Sequence, residues 1–456
     1  MHPILFRIPL PHMPLKLWWA LAAVAAISAI FSILSLQRKD RSGALGAAVV
    51  ALAAGGAGYK WQTVSYEAPN VPIYAYGVML GISLVVGWYL SLPLAEKDGL
   101  PKETIANCYV VTALAALIGS RVLYAITNPD EFKSFSDLFA LRNGGLVAYG
   151  GFLGGLIGSW AFLSPKKIRL LAWADYAVPS LASGLFVTRI GCYLFGCDFG
   201  KILPTGAPRW LKTLGTFPHW PAGTLVSGEG SPAFVRHLDQ YRNTPFEQEL
   251  VRMNTSYPVH PTQIYESIVG LTLLVLLLWQ RKYLRFRGQV FLLFVFGYGL
   301  LRFILEIWRD DVERGNYGPI WDAHLYVPLC LLLMSVGFVF GVSLGIANAR
   351  ARAIARVLAV EPPVAAYFFL VPSKFAQPTM LQLSTSQIIG LLSALVASFF
   401  YARLWDDARK HPKLAMSLGD PDAIRAMKGE MPSAVEDDGD DPEPDEMEEV
   451  SEGRAR

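Results

Sequence analysis

Apolar runs of about twenty residues, separated by short polar or basic turns, recur along the chain. As an α-helix, a run of that length matches the hydrocarbon thickness of a bilayer, so the pattern predicts a polytopic membrane bundle. The spans fall at 17–36, 71–94, 105–126, 144–163, 170–195, 262–279, 289–307, 325–346 and 388–402. An Ala/Gly-rich run ending at Gly58 closes a hairpin with the first of them, and 364–371 is apolar but ambiguous. The Pro-rich opening 1–17 mixes apolar and basic residues and suits a segment lying at the interface. A signal peptide is the alternative, set aside because no small-residue cleavage site is followed by soluble sequence.

The polar segments complete the outline. Residues 199–258 are rich in Pro, Gly and Trp, lack helical periodicity and predict a small extramembrane head. Residues 436–452 are acidic and without aromatics, the composition of a disordered tail. Basic loops at 37–41, 165–169, 281–287 and 349–356 belong on the cytoplasmic side. Up to residue 346 the spans then alternate properly, which leaves the start, 128–143, the head and 309–322 outside. Beyond 356 the parity depends on whether 364–371 re-enters the membrane. If it does, the tail is cytoplasmic; if not, it is outside.

Composition agrees, with 53% hydrophobic residues, 17% charged and a mean hydropathy of +0.35. The net charge of +3 argues against nucleic acid as a partner. Cys108, Cys192, Cys197 and Cys330 sit in or beside apolar runs and give no secreted disulfide pattern. Cys192 and Cys197 are five apart, on different faces of a continuous helix, and no His is near. Buried, inert thiols are therefore expected there in preference to a zinc site.

Polar groups gather toward the outer face: Tyr76, Arg121, Tyr149, Arg189, Asp198, His260, Gln263, Tyr265, Glu266, Arg302 and Glu306. An ionisable side chain at membrane depth is costly unless it faces a partner or a cavity, which makes Arg189 a functional candidate. Asp198 is near enough in sequence to pair with it. Arg302 and Glu306 are four apart and can share a helix face. An arginine in such a place suits bidentate capture of a phosphate. Each group also has a structural reading. Arg121 can snorkel, Tyr76 and Tyr149 can be interfacial aromatics, His260 can cap a helix, and Gln263, Tyr265 and Glu266 can tie helices together.

Four segments carry a resemblance: Tyr149-Gly150-Gly151, Arg189 to Gly200 with its Arg-x-Gly start, His260-Pro261-Thr262-Gln263-Ile264-Tyr265-Glu266, and Arg302 to Arg309. In that order they resemble the prolipoprotein diacylglyceryl transferase family, with Tyr76-Gly77, Gly119-Ser120-Arg121, Asp175 with Pro179, and Leu383-Ser384-Thr385-Ser386-Gln387 fitting the same pattern. The resemblance covers 71–318, 380–404 and the opening, and leaves 18–58 and 319–379 as insertions. It implies an all-α polytopic membrane protein: a seven-helix transferase-like core (71–198, 259–318 and 380–404) with an interfacial start at 1–17, inserted transmembrane segments, a small periplasmic head at 199–258 and a disordered acidic tail at 405–456. An insertion must return the chain to its starting side, which favours a hairpin or re-entrant segment in 357–379 and a cytoplasmic tail.

The resemblance also implies an activity. The diacylglyceryl group of phosphatidylglycerol moves to the lipobox cysteine of a prolipoprotein signal peptide at the periplasmic side of a bacterial inner membrane, with no cofactor or metal, and glycerol phosphate is released. Tyr149, Arg189 and Arg302 stand as the implied catalytic residues. Substrate binding falls to Arg189, Arg302, Tyr76, Arg121, Asp198, His260, Gln263, Tyr265, Glu266 and Glu306. The chain departs from the better-known pattern in having Tyr149 where a His precedes Gly-Gly, Cys192 in place of an Asn-containing stretch, and Cys197 at a glutamate position, with Asp198 one residue later. The alternative is a lipid-binding or transport-like protein of the same fold, although the chain lacks the internal repeats of a transporter.

Overall fold

Apolar runs in lipid must satisfy their own backbone, and helices do so residue by residue. The computed structural model describes residues 3–9, 15–37, 41–66, 70–132, 134, 137–138, 145–220, 230–310, 315–371 and 379–429. Eight helical stretches among them are long and apolar enough to cross a membrane, so the chain is an all-α multi-pass membrane protein. The helices are α1 Leu17–Gln37, α2 Arg41–Lys60, α3 Ala75–Lys97, α4 Lys102–Thr127, α5 Ala148–Leu163, α6 Leu170–Phe195, α7 Arg209–Leu214, α8 Pro232–Gln240, α9 Pro245–Met253, α10 Thr262–Gln280, α11 Gln289–Leu305, α12 Ala323–Phe340, α13 Ala349–Leu358, α14 Glu361–Phe369, α15 Thr385–Lys410, α16 Pro412–Ala415 and α17 Pro421–Lys428. Short strands, β1 Ile4–Pro9, β2 Leu15–Lys16, β3 Ser65–Tyr66, β4 Asn70–Tyr74, β5 Asn316–Asp322 and β6 Met380–Ser384, make three two-stranded ribbons.

The chain packs as two compact units. One comprises Met1–Leu84, Gly184–Gly270 and Ile304–Arg314; the other comprises Val85–Ser183, Leu271–Phe303 and Gly315–Arg456.

In the first unit, the opening segment forms a strand: β1 pairs antiparallel with β4, from Ile4 opposite Tyr74 to Pro9 opposite Asn70. Pairing satisfies backbone groups that an isolated interfacial segment would leave to water. α1 and α2 pack against each other, with Ser32 Oγ donating to Ala44 O at 2.7 Å. The head is more ordered than its composition suggests. Its helices α7, α8 and α9 are too short to show a periodic pattern amid the Pro and Gly, and Phe199, Phe217, Ala233 and Val259 form a small core beside them.

In the second unit, α4 and α5 meet through glycine. A Cβ on Gly119 would lie 2.4 Å from Gly150 O, and one on Gly154 would lie 2.4 Å from Ala115 O. Asp175 is fully buried, and its carboxylate accepts from Gly288 N at 2.7 Å and Phe291 N at 2.9 Å. It therefore caps the start of α11, where free N–H groups and the helix dipole favour an anion. Asp175→Ala is expected to cost about 3 kcal/mol, because two buried donors lose their acceptor. Thermal denaturation in detergent measures this, and Asp175→Asn, which keeps one acceptor, should lose less.

The region after α12 resolves the ambiguous run. At nine residues α14 is too short to cross, spanning about 14 Å at the helical rise. It folds back along α12, with Ser335 Oγ donating to Ala359 O at 2.6 Å and the Tyr367 ring 4.4 Å from that of His324. β6 then pairs with β5, so α15 begins at the end where α12 began. Ser384 and Gln387 cap α15 reciprocally, the structural reason for the Leu383–Gln387 motif.

The last helix runs past the expected 388–402 to Lys410, and the short helices α16 and α17 follow it, in place of the disorder expected from 405 onward. This segment packs on two basic loops: Arg169 N donates to Leu418 O at 2.9 Å, Arg287 N to Ala415 O at 2.9 Å, and Lys167 pairs with Asp420 at 2.8 Å. The acidic stretch 436–452 lies outside the described residues.

Candidate active site

The polar cluster of the first unit begins where α6 stops. Gly196, at φ +81°, takes the left-handed conformation that ends a helix, and its N–H donates to Cys192 O at 2.8 Å. Asp198 follows at φ +56°, a conformation Asp tolerates better than most residues. These two turns carry the Asp198 carboxylate back to Arg189, although it lies one residue beyond the acidic position of the better-known pattern. Arg189 Nη1 bonds Asp198 Oδ2, and Arg189 Nε lies 3.0 Å from Glu266 Oε2. Opposite, Arg309 Nη2 bonds Asp198 Oδ1, with Arg309 Nη1 3.8 Å from Glu266 and Nε 3.9 Å from Glu306.

Two arginines thus interleave with three carboxylates. Glu266 and Glu306 are almost wholly buried, whereas Asp198 keeps 28% of its side chain exposed and Arg189 17%. Charges this buried persist only when paired. The solvent-facing part of the network is the Arg189–Asp198 pair.

The start of α10 supports the same turn. Thr262 Oγ1 donates to Asp198 O and Gln263 Nε2 to Cys197 O, while Gln263 Oε1, also buried, has no hydrogen-bond partner among the described residues. His260 Nδ1 lies 3.3 Å from Tyr265 Oη. Burial, and then the Lys201 charge, hold the His260 imidazole below its ordinary range, so it is neutral at physiological pH. Gly200 allows the strands to meet here, since a Cβ would lie 2.5 Å from Trp308 O. Tyr76 packs its backbone against Gly191, 3.2 Å from where a Cβ would stand.

Tyr149, Arg121 and Arg302 belong to the second unit. Arg121 donates to Leu138 O at 3.1 Å, Gly145 O at 2.9 Å and Asp137 O at 2.7 Å, so its guanidinium clasps a loop. Arg302 Nη2 lies 3.4 Å from Ser386 Oγ, and Tyr149 sits in the first turn of α5. Sequence reasoning missed Arg309 as a site residue. Its spacing of three from Glu306, just past a helix end, was the available signal.

The thiols are not on separate faces. Because α6 ends at Phe195, Cys197 returns over Cys192, and the two sulfurs and an Asp198 oxygen lie within 4.8 Å of one another. Such a donor set could meet a soft cation, but both Asp198 oxygens already serve arginines and the set does not fit a metal centre.

Beneath the site, His237 is 1% exposed and its Nδ1 accepts from Tyr257 N at 3.2 Å. Burial, helped by the neighbouring Arg236 charge, depresses its pKa from 6.5 to about 4. The fold therefore favours neutral His237; this stability is complete above pH 6.5 and is lost as the pH falls through 4. The expected loss is up to about 3 kcal/mol, read as a falling melting temperature across that window that a His237→Phe variant flattens.

Residues 63–354 match the family profile described as prolipoprotein diacylglyceryl transferase. The chain is 28% identical over 279 residues to the phosphatidylglycerol–prolipoprotein diacylglyceryl transferase of Clostridium tetani, covering 61% of this chain and 96% of that protein. It is 30% identical over 272 residues to the enzyme of that name from Psychrobacter arcticus, covering 56% and 84%. To the Thermus thermophilus enzyme it is 28% identical over 270 residues, covering 57% and 91%.

Proposed function

The chain belongs to the prolipoprotein diacylglyceryl transferase family, and from that premise we propose that the Arg189 network binds and activates its lipid substrate. The protein is a transferase of lipoprotein maturation, acting on phosphatidylglycerol and prolipoproteins within a membrane. Its acceptor is the lipobox cysteine. The acceptor thiol loses its proton and its sulfur attacks the glyceryl carbon that bears the phosphate; a C–S bond forms, the C–O bond breaks, and glycerol phosphate leaves with the electron pair and can carry the proton away. Negative charge builds on the departing phosphate, so a positioned guanidinium favours the transition state over the ground state.

The observation that carries this reading is the fixing of Arg189 by Asp198 and Glu266, with Arg189 on the accessible side of the network. Two carboxylates hold the guanidinium plane in place before substrate arrives, which lowers the cost of orienting it. The family resemblance also assigns two residues of the second unit to the reaction, Arg302 as a phosphate ligand and Tyr149 as a hydrogen-bond donor. Gln263 Oε1, a buried acceptor without a partner among the described residues, suits a hydroxyl of the glycerol headgroup. Tyr76, His260, Tyr265 and Glu306 complete the lining.

The membrane is the bacterial inner membrane and the site faces the periplasm. Supporting this, the C-terminal segment and the basic loops around Lys167 and Arg287 hydrogen-bond to one another, as expected of elements on one cytoplasmic face. The core remains 71–198, 259–318 and 380–404, with 18–58 and 319–379 as additions and 199–258 as the periplasmic head.

The test is expression in cells depleted of their own transferase, with a lipobox substrate followed by mass. The substrate is expected to gain a diacylglyceryl group; no gain from a correctly folded protein overturns the reading. Tyr149→Phe is expected to lower transfer about tenfold, the worth of one hydrogen bond to a charged group. Full activity in that variant removes the phenol from the chemistry.

A further inference from the structure

The left-handed cap that ends α6 does more than place Asp198. By turning the chain at Gly196 it sets Cys197 Sγ 3.9 Å from Cys192 O, with both sulfurs inside the 4.8 Å cluster. The two thiols are free, Cys192 buried and Cys197 half-buried. Arg189 Nη1 lies 3.7 Å from Cys192 Sγ, and Asp198 Oδ2 lies 4.0 Å from Cys197 Sγ. A cation beside one sulfur favours its thiolate. The other two cysteines, Cys108 on α4 and Cys330 on α12, are buried and belong to the second unit.

We propose that Cys192 and Cys197 form a dithiol–disulfide site, oxidised by a disulfide-bearing carrier of the thiol-exchange class. The proposal rests on the periplasmic placement of the site, the compartment in which such carriers keep thiols oxidised. Cys197, the less buried of the two, loses its proton to solvent and attacks one sulfur of the carrier disulfide. That bond breaks, and the departing carrier sulfur takes up a proton. Cys192 thiolate then attacks the Cys197 sulfur, an intramolecular S–S bond forms, and the second carrier sulfur leaves as a thiol. Two electrons and two protons have passed from the cysteine pair to the carrier.

The bond staples the segment bearing Asp198 to the last turn of the helix bearing Arg189. Redox state and the Arg189–Asp198 pairing are then coupled through one short loop. A disulfide here constrains the chain only locally, so its effect falls on this turn and leaves the bundle as it was.

The experiment uses the full-length protein in detergent, incubated in oxidised or reduced glutathione and then alkylated and mapped by mass. Oxidation is expected to protect Cys192 and Cys197 together, with the loss of two hydrogens from the peptide that links them and full recovery in dithiothreitol. Cys108 and Cys330 serve as internal controls. In Cys192→Ser the resolving sulfur is missing, and Cys197 is expected to retain a glutathione adduct. The proposal is overturned if both thiols remain alkylatable after oxidation, or if wild-type Cys197 keeps glutathione while Cys192 stays free. Because the readout is mass alone, a protein that pairs its cysteines but moves no lipid contradicts the proposed function and leaves this site standing.

Discussion

Arg189→Ala is expected to lower diacylglyceryl transfer by a factor of about 10³ or more, to background in a cell-based assay. Two losses add. The phosphate ligand disappears, and Asp198 and Glu266 lose a partner that lay against both, with Glu266 only 2% exposed. Removing one member of a buried ion pair costs about 3 kcal/mol or more, so part of the effect is on folding. Arg189→Lys separates the two contributions. It retains a positive charge between the carboxylates but not the planar fork that meets two acceptors at once. That variant should fold at near wild-type yield and still transfer poorly. Equal amounts of folded protein, compared by chromatography and assayed with lipobox substrate, give the answer; an active Arg189→Ala removes the guanidinium from the mechanism.

Gly154→Val is expected to prevent α4 and α5 from packing. Even the first added carbon would lie 2.4 Å from Ala115 O and 2.9 Å from Gly119 Cα, both backbone atoms that cannot swing aside. The helices would have to part, forfeiting the close contact on which association in lipid depends. A loss of about 3 kcal/mol is the order expected for overpacking of this kind, seen as a fall in melting temperature and in folded yield. Gly56 on α2 is the control, since a Cβ there meets nothing within 4 Å. Gly56→Ala should be neutral or slightly stabilising, because Ala favours the helix more. Similar losses at both positions would remove close packing of α4 on α5 as the cause of the Gly154 effect.

The spans were legible because the bilayer imposes a length and an apolar composition on each helix. Asp198 was legible as a partner for Arg189 because a buried arginine demands an anion, whereas Glu266, 77 residues away, was legible only as a polar group of the same face. What escaped the pattern depends on single turns. The pairing of Ile4–Pro9 with Asn70–Tyr74 is a contact between distant segments that no local periodicity announces. The thiols looked divergent because α6 was read as continuous through Cys197, when Gly196 ends it and reverses the chain. Arg309 lies beyond the end of α11, where helical spacing no longer says which way a side chain points. The head helices α8 and α9 are nine residues each, shorter than the window in which a 3.6-residue period can be recognised.

The β5–β6 ribbon has a consequence for how this protein can change in length. Asp322 stands opposite Met380 in register, and Ala323 N donates to Thr379 O at 2.9 Å, so the ends of the intervening 57 residues are held side by side. Closing so short a gap costs little chain entropy. The segment can therefore be exchanged for another module, with α15 and its capping serine left in place. Its replacement must still cover the face of α15 against which α12 packs, where a Cβ on Gly337 would lie 2.8 Å from Ser398 Oγ.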